Sequence, residues 1–205
     1  MDIEPRSSRR LTGPNTFLPG FGAVLEAPVE EACAAAFVSA WQDAVRQIWD
    51  ELAWPAPVTE VHRYTGFAAL AASAPEDALY TACEANETAW AMAVRLEGFA
   101  PAEYRSIQDL RQLSEAERSP RRLEIAAAAA HHGLRFFADD ELVSVGSGRG
   151  CKVWAVHSLP DPSTIDWEHV HDIPVALITG THGKTTTVRM LSAIAAAAGL
   201  MAGNT

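Results

Sequence analysis

Val175-Ala-Leu-Ile-Thr-Gly-Thr-His-Gly-Lys-Thr-Thr-Thr-Val-Arg-Met190 is the stretch on which the reading of this chain turns. Val175 to Ile178 are four apolar residues between Pro174 and Thr179-Gly180, a pattern that predicts a short strand buried on both faces of a parallel sheet. Gly180 and Gly183 follow, and with no Cβ they let the backbone turn sharply and point successive N–H groups into one concavity. From Lys184 onward, Val188, Leu191, Ile194, Ala195 and Ala198 recur at helical spacing, and Gly199 stands where a C-terminal cap belongs. A strand, a glycine turn and a helix N-terminus in that order make an anion site, because unpaired N–H groups and the positive end of the helix dipole face the loop. Lys184 adds a point charge suited to β- and γ-phosphate oxygens, and the Thr185 hydroxyl suits a Mg²⁺ shell.

The general P-loop has a glycine five residues before its Gly-Lys pair, whereas that position here is Ile178. In its shorter form, Thr179-Gly-Thr-His-Gly-Lys-Thr-Thr-Thr187 resembles the nucleotide loop of the Mur ligase family, usually Thr-Gly-Thr-Asn-Gly-Lys-Thr-Thr. His182 takes the place of the commoner Asn, as it does in the muramate:alanine ligase branch. It reads either as a residue lying along the nucleotide or substrate, or as a loop filler.

The resemblance implies ATP and Mg²⁺ as cofactors. Gly180, Thr181, His182, Gly183, Lys184, Thr185 and Thr186 are the candidate nucleotide-binding residues, Thr185 the candidate metal ligand and Lys184 the candidate catalytic residue. It also implies a chemistry: a carboxylate attacks the γ-phosphate, and an amine opens the resulting acyl phosphate to give an amide. The expected partners are therefore a small-molecule carboxylate and an amino-acid or peptide amine. A P-loop kinase or NTPase of another kind, or a non-catalytic recognition module in the N-terminal part, are the alternatives.

Composition narrows the classes. A formal net charge of −10 over 205 residues argues against a general binder of nucleic acid or anionic membrane, either of which needs a positive field. No apolar run approaches the roughly 18 residues of a membrane helix, and no apolar segment follows Arg6, Arg9 and Arg10, so a cytoplasmic location is expected. Cys33, Cys83 and Cys151 are odd in number and far apart, which predicts small core residues rather than disulfides or a metal site.

Near the N-terminus, Leu11-Thr-Gly-Pro-Asn15 is similar to the Leu-x-Gly-Pro-Asn of cyanophycin synthetases, which carry a Mur-type module further along; a plain turn explains Gly-Pro-Asn equally well. The chain has no room for the ATP-grasp module that those enzymes insert. Val29 to Trp54 reads as an amphipathic helix with Cys33, Phe37, Trp41, Val45, Ile48 and Leu52 on one stripe. Val58 to Tyr64 alternates as a half-exposed strand, on which His62 is a ligand or, more simply, a solvated strand histidine. Leu79 to Leu96, Ile107 to Leu113 and Pro120 to His132 read as further helices, with Gly133 as a cap. Arg121 and Arg122 are either an anion-binding pair or a solvated helix end.

Leu134 to Phe137, Glu141 to Val145 and Cys151 to Val156 predict a small antiparallel unit. Gly146-Ser-Gly-Arg-Gly150 has the look of a dinucleotide fingerprint, but a strand follows it instead of a helix, so it is read as a hairpin loop. Glu168, His169, His171 and Asp172 form either a metal cluster or a solvated linker. The expected fold class is α/β: an N-terminal α+β substrate or recognition domain over 1–160, a linker over 161–172, and over 173–205 the first strand–P-loop–helix unit of a doubly wound nucleotide-binding domain. Such domains need several βα units, so the chain is expected to be the N-terminal part of a longer ligase.

Overall fold

Strand Gly22–Pro28 (β2) and strand Phe67–Ser73 (β4) run antiparallel at the centre of the larger sheet in the computed structural model, which describes residues 3–13, 15–29, 34–99 and 103–203. Ser7–Leu11 (β1) flanks β2 and Thr59–Tyr64 (β3) flanks β4, giving the order β1-β2-β4-β3. Side chains alternate across this sheet. Ala23, Leu25 and Ala27 on β2, with Ala68, Leu70 and Ala72 on β4, join the core formed with helices Ala34–Glu51 (α1) and Leu79–Leu96 (α2). On the opposite face Val24, Ala69 and Ala71 are buried with Leu11 and Leu18, and Phe17 packs against them.

The α1 stripe is buried as its periodicity predicts, with Phe37, Trp41, Val45 and Ile48 fully enclosed; Cys33 lies outside the described residues. Helix α2 is buried over most of its circumference, so its small residues Ala82, Ala85, Ala89 and Ala93 allow close approach to sheet and helix alike. Helices Ile107–Glu117 (α3) and Pro120–His131 (α4) follow. Three strands, Phe136–Ala138 (β5), Leu142–Val145 (β6) and Lys152–Ala155 (β7), form the expected antiparallel meander.

Two compact units result: the described residues up to Ala128 with Leu159–Ser163, and Ala129–Ser158 with the described residues from Thr164. This division does not follow the expected boundaries at 160 and 172. The meander groups with the segment that leads to the glycine loop, because residues 171–173 are hydrogen-bonded to Arg135, Ser147 and Gly150 in its loops.

The strand expected over Val175–Ile178 is absent: residues 171–179 have no regular structure, and Leu177 is 92% exposed and Val175 58% exposed. A strand exists only where a neighbour takes its N–H and C=O groups, and no strand among the described residues lies beside this one. Helix Lys184–Ala197 (α5) forms where its spacing predicts, yet it buries none of its residues. Its C-terminus is closed as expected: Gly199 is left-handed at φ 75°, the Leu200 N–H reaches Ala195 O at 2.9 Å and the Gly199 N–H reaches Ala196 O at 3.0 Å. Cys83 and Cys151 are free and half-buried, where full burial was expected.

Candidate functional site

The glycine loop bends over 180–183 into α5. Gly183 is the N-cap at φ 80° and ψ −4°, a left-handed conformation that favours glycine even though a Cβ there would meet nothing within 4 Å. Gly180, at φ 142°, is likewise outside the region open to ordinary residues. Thr187 fixes the entry, since both its N–H, at 2.9 Å, and its hydroxyl, at 3.0 Å, donate to Gly183 O. Lys184 Nζ folds back to donate to Gly180 O, so its ammonium lies across the loop. His182 Nδ1 is 3.3 Å from Thr181 Oγ1. Gly180 through Thr186 are all exposed, and one short loop brings the seven candidate nucleotide residues together.

At α2 and α3 the chain supplies its own oxygen atoms to the helix N-terminus. The Glu117 carboxylate accepts from the Tyr80 and Thr81 N–H groups at the start of α2, each at 2.8 Å. A capping box of Ser106 and Asp109 closes α3. No side chain caps α5. Its first-turn N–H groups lack helical acceptors by construction, so an external anion meets unpaired donors and a positive dipole end with Lys184 beside them. That arrangement suits an anionic oxygen group. For Mg²⁺ the chain offers the Thr185 hydroxyl; no group of three His, Cys, Asp or Glu side chains among the described residues is placed to hold a metal.

The other candidates resolve as structural groups. Asn15 of Leu11-Thr-Gly-Pro-Asn15 organises its own loop: its Nδ2 donates to Gly13 O at 2.8 Å and Gly20 O at 3.1 Å, and its Oδ1 accepts from the Phe17 and Leu18 N–H groups at 2.9 and 2.8 Å. That holds Phe17 and Leu18 over the outer face of the sheet; Pro14 lies outside the described residues. His62 meets the Phe17 ring edge to face at 5.1 Å. Arg121 is paired with Glu124 and Asp161, and Arg122 donates to Glu76 O at 3.1 Å, so neither is an idle anion ligand. Burial pushes the Cys83 thiol up, away from the thiolate a nucleophile needs.

The linker cluster does not converge. His169 Nδ1 is 2.7 Å from Asp166 Oδ2, whereas Asp172 turns to the meander. Sequence reasoning missed that attachment, and it missed a cavity of about 400 Å³ along α2. Trp90, Ala91 and Val94 line that cavity, as do Glu4, Glu84, Glu87, Glu103 and Asp109, with Arg105 paired to Glu84 at 2.7 Å. Its field is acidic, and no motif marks it because its residues come from three separate segments.

A scan of known protein families finds no matching model, and a comparison with curated proteins returns no match.

Proposed function

We propose that Thr179–Thr187 is the phosphate-binding loop of an ATP-dependent ligase that joins a carboxylate to an amine through an acyl phosphate. The observation that carries this reading is the open N-terminus of α5: an uncapped helix end, preceded by a left-handed glycine and carrying Lys184, within a loop whose sequence resembles that of Mur ligases. The amides of the first turn and the Lys184 ammonium would hold the β- and γ-phosphates and stabilise charge on the transferred group. Thr185 would hold Mg²⁺, which supplies charge neutralisation across the phosphate oxygens. Val175–Ile178 would become the first strand of a doubly wound parallel sheet once neighbours pair its edges, and burial of the bare apolar side of α5 would accompany that step. The unit built on the four-stranded sheet is the candidate substrate-recognition part, and a cytoplasmic location would supply the ATP.

The test is product analysis with the intact polypeptide that carries this sequence. ADP and inorganic phosphate should appear only when a carboxylate and an amine are both present, together with an amide product. Phosphorylation that proceeds without any amine would favour a kinase, and the absence of Mg-ATP binding would remove the reading.

A further inference from the structure

Residues His171, Asp172 and Ile173 are seated by five hydrogen bonds, four to the Gly146–Gly150 loop and one to the Arg135 N–H. The Ser147 N–H donates to His171 O and the His171 N–H donates to Gly150 O, each at 3.2 Å. Asp172 Oδ1 accepts the Ser147 hydroxyl at 2.9 Å, and Asp172 Oδ2 accepts the Arg135 N–H at 3.1 Å. Ser147 Oγ in turn accepts the Ile173 N–H at 3.0 Å.

The three glycines make room for this seat. A Cβ on Gly146 would lie 2.8 Å from His171 O, one on Gly148 would lie 2.3 Å from the Ile173 Cδ1, and one on Gly150 would lie 2.5 Å from the His171 ring. Val170 is buried, as are Val143 and Val145 of β6. A linker that only had to span a gap would need neither the glycines nor the carboxylate.

The geometry points to Asp172 as a positioning residue for the nucleotide loop, an inference that rests on the loop reading given above. Ile173 is the last residue the seat holds, and Pro174, with φ fixed and no N–H, passes its direction to Val175. The strand proposed above for 175–178, once its edges are paired, would advance about 3.3 Å per residue, so its starting point would set where Thr179 and Gly180 arrive. A slip of one residue there would turn every apolar side chain to the wrong face and move the loop by the same step. Asp172 and Ser147 fix that origin from outside the phosphate site.

The experiment measures the Kd for Mg-ATP of the intact polypeptide, alongside hydrogen-exchange protection of β5–β7. Asp172→Ala should raise Kd about tenfold to a hundredfold, and Gly148→Val, which crowds Ile173 without touching Asp172, should do the same. Asp172→Asn keeps an acceptor for the Ser147 hydroxyl and should recover part of the loss. Protection of β6 should stay as in the unaltered protein. An unchanged Kd in both Asp172→Ala and Gly148→Val would overturn the role, as would a rise in Kd that tracks lost protection of β6 or that Asp172→Asn fails to moderate. If the unaltered polypeptide binds no Mg-ATP, the loop reading falls and takes this role with it. If it binds and the variants bind equally well, only the role of Asp172 falls.

Discussion

Asn86 Oδ1 accepts the indole N–H of Trp41 at 2.8 Å, both residues being fully buried, and Asn86 Nδ2 donates to Leu70 O at 3.0 Å. One amide on α2 therefore reaches α1 on one side and the central strand β4 on the other. Asn86→Ala would leave the Trp41 donor without an acceptor in an apolar core. The expected loss is about 1–3 kcal/mol of unfolding free energy, read from a urea titration. A change in midpoint too small to resolve would mean that water or another group replaces Asn86.

Three helices end in a left-handed glycine: Gly98 after α2, Gly133 after α4 and Gly199 after α5. Helix α1 ends in the same pattern, with the Trp54 N–H reaching Trp49 O at 3.0 Å, but the left-handed position, at φ 53°, is Ala53. The Cβ is strained there, and a glycine removes the strain at some cost in unfolded-chain entropy. Ala53→Gly should stabilise the protein by about 0.5–1 kcal/mol, seen as a raised Tm. A lowered Tm would show that the backbone relaxes at no cost.

Lys184 is the one side-chain cation assigned to the phosphates. Lys184→Ala should lower turnover of the intact polypeptide by a factor of about 10²–10³. Thr185→Ala should raise its Mg²⁺ requirement. Thr187→Ala should act less, since its hydroxyl is bonded inward to Gly183 O. Near-normal turnover in Lys184→Ala, measured as ADP release, would contradict the assignment.

Two carboxyl groups should give pH dependences of opposite sign. The Leu142 and Glu141 N–H groups bond to Asp139 and hold its carboxyl below the usual 3.8. Its stabilising effect on the β5–β6 turn is present above that pH and is lost as pH falls through the depressed value. Glu76 is pushed above 4.5 by burial, partly countered by Arg122. The folded state therefore binds the Glu76 proton more tightly than the unfolded chain, and stability falls as pH rises above 4.5 through the elevated value. Asp139→Asn should flatten the acid limb and Glu76→Gln the upper one in unfolding titrations across pH 2–7. Unaltered slopes in either variant would remove that group as the cause.

Amides of α5 and of 175–179 should exchange rapidly with solvent in the chain of 205 residues, in contrast to slow exchange in α1. Helix α5 buries none of its residues, and a helix of its length gains little from its backbone alone. Hydrogen exchange read by mass spectrometry checks this. Strong protection over Lys184–Ala197 would mean that the helix is covered in solution.

The long helices were legible because Phe37, Trp41, Val45 and Ile48 repeat at a spacing only a helix can bury on one side. The central sheet was not. Phe67-Ala-Ala-Leu-Ala-Ala-Ser73 is buried on both faces, so it neither alternates nor carries the β-branched residues that mark a strand. Val175–Ile178 erred in the other direction, since its composition suits a buried strand but pairing depends on neighbours that a local pattern does not contain. The glycine turn and the helix after it could be read because their residues are contiguous. The seat of Asp172 could not, since the purpose of Gly146, Gly148 and Gly150 becomes visible only with residues more than twenty positions downstream in place.

The bare side of α5 also carries a chemical label. Met190 is 61% exposed and Met201 79% exposed, and the Met201 sulfur accepts from Arg149 Nη2 at 3.2 Å, while Met92 packs against the core of the larger sheet. Dilute peroxide should convert the first two thioethers to sulfoxides well before Met92. Sulfoxide yield at Met190 thus becomes a measure of whether anything covers α5: a drop in that yield on adding a partner would locate the contact on a single side chain.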